Sequence, residues 1–282
     1  MNSTLVGVRG DGQRRGHRTF AGALQLDGIN DILGGESSGG GIASIVNALG
    51  FDNRWALSMW VDTFNNSDYN FLNFLRTTRS LFAGNWNQSQ LYLTYGGATK
   101  SFSLAGVQSL VLPAVATYAS ARSWPATTWR HLIINHNPTS TSQSRVSFYD
   151  NSVKSPDAPP FVSQSPASLS PATTNNIIGI GAYSYNGLSF TYLPIRIADL
   201  VILSNYNITD AQARRMYNVG TNTVYANYPA QVLTNRHAHY PLGASADFTV
   251  SGTNLFANDI SGNGRNLQVF GQGTTPNIVA FL

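Results

Sequence analysis

The sequence predicts an all-β fold, an antiparallel β-sandwich of the jelly-roll kind, with one short helix near residues 210–218. Three observations predict it. Short runs of alternating apolar and polar residues recur along the chain, Gly, Asn and Pro punctuate them, and charged residues make up only 11% of the composition. Alternation of period two buries one face of a strand, whereas a helix needs apolar residues three and four apart. At 282 residues the chain is long enough for one large core.

Residues 1–19 read as an extended basic arm, polar and rich in Gly and Arg. Arg9, Arg14, Arg15 and Arg18 against Asp11 hold most of the formal net charge of +4, which leaves the body close to neutral. Such an arm suits docking onto a neighbour, and the neutral body lacks the basic stripe of a nucleic-acid-binding domain. Arg9, Gly10 and Asp11 spell an adhesion tripeptide, read here as a turn. Residues 20–282 read as a single sandwich, including a C-terminal extension from about residue 228.

The segment from Phe20, FAGALQLDGINDIL, has apolar positions at Leu24, Leu26, Ile29 and Ile32 across an Asp-Gly turn, the pattern of a first hairpin. Residues 34–42, GGESSGGGI, read as a flexible loop. In RWALSMWVDTF, Trp55, Leu57, Met59 and Val61 alternate with Ala56, Ser58, Trp60 and Asp62, so this is a strand with one buried face. Further strands are expected at residues 70–75, 90–95, 100–104 and 114–119, from Thr128 and from Ser144. Residues 155–171 hold five of the twelve prolines and read as an extended surface loop. Strands resume at residues 175–181 and 194–204. Thr209 and Gln212 have capping-box spacing, Asp210 suits the positive end of a helix, and Gly220 closes the segment. Strands at residues 239–242 and 267–270 flank the turn DISGNGRN.

Four of these stretches resemble the concanavalin A-like jelly roll, specifically its laminin-G-like branch. LQLDGINDIL resembles the opening strand motif and RWALSMWVDTF a central strand. TTWRHLIINHN followed by RVSFYDNSVKS resembles a characteristic strand pair, and IRIADLVILSNYNITDAQARRMYNVG the closing strand with its helix. Asn151 stands where the hairpin usually has Gly. The tail HAHYPLG and NDISGNGRNLQVFG also resembles a stretch common in such proteins, there placed before the sandwich; it either pairs with the N-terminal strand or begins another module.

The resemblance implies a calcium ion at the sandwich rim. The loop chemistry suits one, because hard cations take carboxylate and carbonyl oxygens. Asp27, Asn30 and Asp31, with Asp199 beside them, are the candidate ligands; the competing reading is that these residues only make turns. No cofactor is required.

Glycosidases of this fold carry paired carboxylates on one strand, as general acid and base or nucleophile. Here Glu36 is the only glutamate. Asp62 and Asp150 are the remaining carboxylate pair worth weighing. The chain has no cysteine and no G-x-S-x-G elbow. His131 and His136 read as structural, and His237 and His239 form an H-x-H pair without an evident third metal ligand. The chain is therefore expected not to be an enzyme. Trp86, Trp124, Tyr183, Tyr185 and Tyr192 are candidates for glycan stacking or for a protein interface.

Without a signal-like or membrane-spanning apolar run, the sequence leads to the expectation of a virion structural or adhesive protein. It would be folded in a host cytoplasm and partnered with itself, with other virion proteins or with cell-surface glycan, without membrane insertion. A carbohydrate-binding lectin module outside any particle is the alternative, and a diverged glycoside hydrolase the third reading.

Overall fold

The computed structural model describes residues 22–37, 40–50, 53–63, 69–77, 90–96, 101–107, 116–119, 129–140, 145–155, 175–184, 190–218 and 228–280. These form an all-β sandwich of two antiparallel sheets, as expected. The arm with Arg9, Arg14, Arg15 and Arg18, the Pro-rich segment 156–171, and Trp86, Trp124 and Tyr185 lie outside the described residues.

The first sheet runs, edge to edge, through β10 (Val153–Lys154), β9 (Val146–Asp150), β8 (Arg130–His136), β3 (Trp55–Thr63), β14 (Pro194–Ser204), β1 (Ala23–Asp27) and β19 (Ile278–Val279). A further strand, β15 (Arg236–Tyr240), also pairs with β14. The second sheet runs through β16 (Phe248–Ser251), β17 (Asn254–Ala257), β18 (Leu267–Phe270), β2 (Ile32–Ser37), β11 (Asn175–Ile180), β4 (Tyr69–Thr77), β5 (Gln90–Gly96), β6 (Ser101–Val107) and β7 (Ala116–Ala119). A small hairpin joins β12 (Ala182–Ser184) to β13 (Phe190–Tyr192).

The main core lies between the sheets. Leu24, Leu57, Leu132 and Ile195 from the first sheet meet Leu33, Leu72, Ile178, Leu255 and Val269 from the second. Each such side chain contributes roughly 1.5–3 kcal/mol relative to exposure. The helix α1 (Gly40–Ala48) adds Ile42, Ile45, Val46 and the following Leu49 to this core. It begins in the expected flexible loop of residues 34–42, whose first residues belong to β2. The i, i+3, i+4, i+7 spacing of those four residues is a helical stripe, and burial of that stripe outweighs the glycines around it. Glu36, expected in the loop, is on β2.

β1 and β2 do not form a hairpin. β1 pairs with β14 and β19 in the first sheet, and β2 pairs with β11 and β18 in the second. The Asp27-Gly28 turn therefore carries the chain from one sheet to the other. Gly28, at φ +77°, packs so tightly on Pro194 that a Cβ would lie 2.5 Å from its Cδ.

β3 is buried on both faces, not one. Trp55, Leu57, Met59 and Val61 enter the main core; Ala56 and Trp60 face outwards into two further clusters. The cover comes from α2 (Asp210–Asn218) and α3 (Ala230–Thr234), through Ala213, Met216 and Val232. The cap of α2 is reciprocal: Gln212 N donates to Thr209 Oγ1 at 3.3 Å, and Thr209 N donates to Gln212 Oε1 at 3.0 Å.

The C-terminal extension pairs within the sandwich. β19 adds to β1, and β18 adds to β2. The loop between β17 and β18 folds around Asp259, whose Oδ1 accepts the N–H groups of His239 and Ser261 and whose Oδ2 accepts that of Arg265. These bonds hold the Asp259 carboxyl below the ordinary carboxylate range in spite of its partial burial.

Candidate functional site

The second sheet presents, on its outer face, a groove of about 290 Å³ formed by β2, β17 and β18. Period-two alternation builds it. Leu33, Leu255, Leu267 and Val269 point into the core, so Gly34, Phe256, Gln268 and Phe270 take the opposite face. Register then sets the layout: Gln268 stands across from Phe256 on one side and Gly34 on the other. Phe270 lies two residues further along β18, and Asn266, from the adjoining loop, is at the other end with Glu36.

The two amides of the groove have fixed orientations. Asn266 Oδ1 accepts the Asp259 N–H at 2.8 Å, which leaves the Nδ2 group as its outward donor. Gln268 Nε2 donates to Asn254 Oδ1 at 3.1 Å, so its carbonyl is the acceptor for a ligand. Gly34 contributes no side chain to the floor, and a Cβ there would lie 2.1 Å from Ile178 O. Among the described residues the lining offers, besides Gly35 and Ile42, two half-buried aromatic rings, an amide donor, an amide acceptor and one carboxylate, Glu36.

A shallower hollow of about 270 Å³ is lined by α1, the end of β14 and the start of β15, including Ser44, Asn47, Ser204 and His237. His237 Nε2 and Ser44 Oγ lie 3.1 Å apart, and Arg265 donates to the same Oγ at 3.2 Å. Burial, with Arg265 nearby, lowers the His237 pKa. Among the described residues this hollow has no Phe, Tyr or Trp in its lining.

The structure separates several residues that the sequence placed together. Asp199, expected beside Asp27, Asn30 and Asp31, is elsewhere: Asp27 faces Pro194 at one end of β1, and Asp199 lies past the opposite end, where Leu24 faces Ile197. It sits in a bulge of β14 at φ 52° and accepts from His239 Nε2 at 2.7 Å and from Tyr228 OH. Asp27 Oδ1 accepts the N–H groups of Ile29 and Asn30. Asp31 Oδ2 accepts from Asp27 N and Gln272 Nε2, and burial raises its carboxyl above the ordinary range. Among the described residues no group of three or more His, Asp or Glu could hold a metal ion.

Asp62 and Asp150 do not face each other across a site. Asp62 shares the outer face of β3 with Trp60 and lies 3.4 Å from Arg196. Asp150 has the register of Leu132, on the core side, and lies 3.5 Å from Arg130. Burial raises the Asp62 carboxyl, with Arg196 opposing. The H-x-H pair is also divided, His237 going to Ser44 and His239 to Asp199. His131 stacks on Trp60 and bonds Ser58, while His136 stacks on Trp55 and bonds Asn53 O, in keeping with structural roles. Tyr183 and Tyr192 are on the β12–β13 hairpin, where Tyr183 pairs with Thr191 and Tyr192 with Ala182.

No family model matches the chain, and no curated protein matches it. Solved structures with some likeness include a native heptameric SAP-like pentraxin from Limulus polyphemus, at 9% identity and TM-score 0.43, covering 70% of this chain and 82% of that one. A protein from Bacteroides ovatus, provisionally described as carbohydrate binding, is 14% identical with TM-score 0.48; the match covers 93% of this chain and 62% of that one. Domain 4 of an extracellular arabinanase from Geobacillus stearothermophilus, solved with arabinotriose, is 15% identical with TM-score 0.35, over 57% of this chain and 65% of that one. None of these likenesses bears on ligand or activity.

The groove residues Phe256, Asn266, Gln268 and Phe270 were absent from the sequence candidates. The signal for two of them was present: once residues 267–270 read as a strand, Gln268 and Phe270 share one face. Phe256 needed the pairing of β17 with β18, which no local pattern shows.

Proposed function

We propose that this chain is a non-catalytic, lectin-like carbohydrate-binding sandwich that holds a glycan in the groove of β2, β17 and β18. The observation that carries the proposal is the juxtaposition of Phe256 and Phe270 with the oriented amides of Asn266 and Gln268. A sugar ring has apolar C–H faces that stack on aromatic rings and hydroxyl edges that need paired donors and acceptors. Hydrolysis by the usual route needs two carboxylates across the bond, and Glu36 is the one carboxylate among the described residues of the lining. The particle role expected from the sequence rests on composition, the lectin-like sandwich and the basic arm with Arg9, Arg14, Arg15 and Arg18, and no described residue speaks for it.

A glycan array tests the proposal, run on the natural chain and on Phe256→Ala, with and without EDTA. Binding of at least one glycan class, weakened about tenfold or more by the substitution, is expected. The EDTA arm reports whether calcium takes part. Absence of binding to every glycan overturns the proposal.

A further inference from the structure

We infer, resting on the carbohydrate reading above, that the groove takes two consecutive rings of an extended glycan chain, not a single terminal sugar. Gln268 and Phe270 share one face of β18, Asn266 lies in the loop just before it, and extended residues advance about 3.3 Å each. The recognition groups therefore extend over roughly 13 Å, further than one sugar ring reaches. Phe256 faces Gln268 in register, which places Phe256 and Phe270 as diagonal neighbours, about 7–8 Å apart at Cα. Two rings of a chain can thus each have an aromatic platform. One lies on Phe270, and the next lies on Phe256 with its hydroxyl edge towards Gln268, Asn266 and Glu36.

The floor is consistent with a chain passing through. Gly34, across from Gln268, leaves the β2 side of the floor without a side chain, so a glycan chain can lie low beside Gln268.

Affinity against chain length decides the matter. Calorimetric titrations would use glucose, mannose, xylose, galactose and arabinose, each with its di-, tri- and tetrasaccharides, against the natural chain, Phe256→Ala and Phe270→Ala. In a series that binds, the natural chain is expected to gain tenfold or more from one ring to two and little beyond three. Either Phe→Ala change should flatten that step, while Gln268→Ala should weaken all lengths above one ring alike. A monosaccharide bound as tightly as its disaccharide, with binding still lost in Phe256→Ala, would overturn the two-ring inference and leave the carbohydrate reading standing. No binding in any series would overturn both.

Discussion

Asp199 Oδ1 accepts a hydrogen bond from His239 Nε2 at 2.7 Å, and both side chains are fully buried. Arg236 fixes the tautomer: its NH1 donates to His239 Nδ1 at 3.0 Å, so Nδ1 is the unprotonated nitrogen and Nε2 carries the proton. Tyr228 OH supplies a second donor to Asp199. The bulge at Asp199 is also where the edge of β14 passes from β1 to β15, so the network pins the junction between the N-terminal strand and the C-terminal extension.

Removing the acceptor of two buried donors is costly. Asp199→Ala is expected to lose about 3–5 kcal/mol of unfolding free energy in urea denaturation. Asp199→Asn should lose less, because Asn tolerates the left-handed backbone and its carbonyl still accepts. A loss below about 1 kcal/mol for Asp199→Ala would show that the network does not hold the junction.

Acid should weaken the fold between pH 6.5 and 4. Burial lowers the His136 pKa from 6.5 to about 4, the bond to Asn53 O opposing and Arg145 assisting. A depressed folded pKa gives stability that is present above the unfolded value and lost as pH falls through the folded one. For His136 the loss is about 3 kcal/mol. His237, also lowered, acts in the same direction. Asp31 and Asp62, raised, oppose it, since their contribution is present at low pH and lost as pH rises through their folded values. His136→Phe, which retains a ring against Trp55, should give a shallower stability profile across this window in urea titrations; an unchanged slope would exclude His136 as its source.

The β9–β10 hairpin should be improvable. Asn151 and Ser152 both have positive φ, 46° and 72°, the pattern of a two-residue type I′ turn. Asn suits that region and Ser does not. Ser152→Gly is expected to raise stability by about 0.5–1 kcal/mol, read from the denaturation midpoint. A lowered midpoint would mean that the Ser152 side chain matters more than its backbone.

Much of the fold was legible because β patterning is local. Residues 194–204 and 267–270 coincide with β14 and β18, and the Thr209–Gln212 box starts α2 where its spacing said. Partnership was not legible. Asp27-Gly28 reads as a hairpin turn whether the chain returns to its own sheet or crosses to the other, and only the register of Leu24 with Ile197 and of Leu33 with Val269 separates the two. The candidate site failed for the same reason. Asp199 joined the rim aspartates on chemistry alone, whereas its partner His239 comes from a strand forty residues later in the chain. Phe256 and Phe270 become a pair only when β17 and β18 lie side by side.

The central claim, that a glycan occupies the groove of β2, β17 and β18, is tested most directly by mapping the contact. The measurement is an isotope-edited NMR titration of the chain with the strongest disaccharide from the length series. The expected result is saturable shifts concentrated on the side-chain amides of Asn266 and Gln268 and the ring signals of Phe256 and Phe270. Saturable shifts that spare these four residues and gather on the hollow beside Ser44 and His237, or on the first sheet, would contradict it.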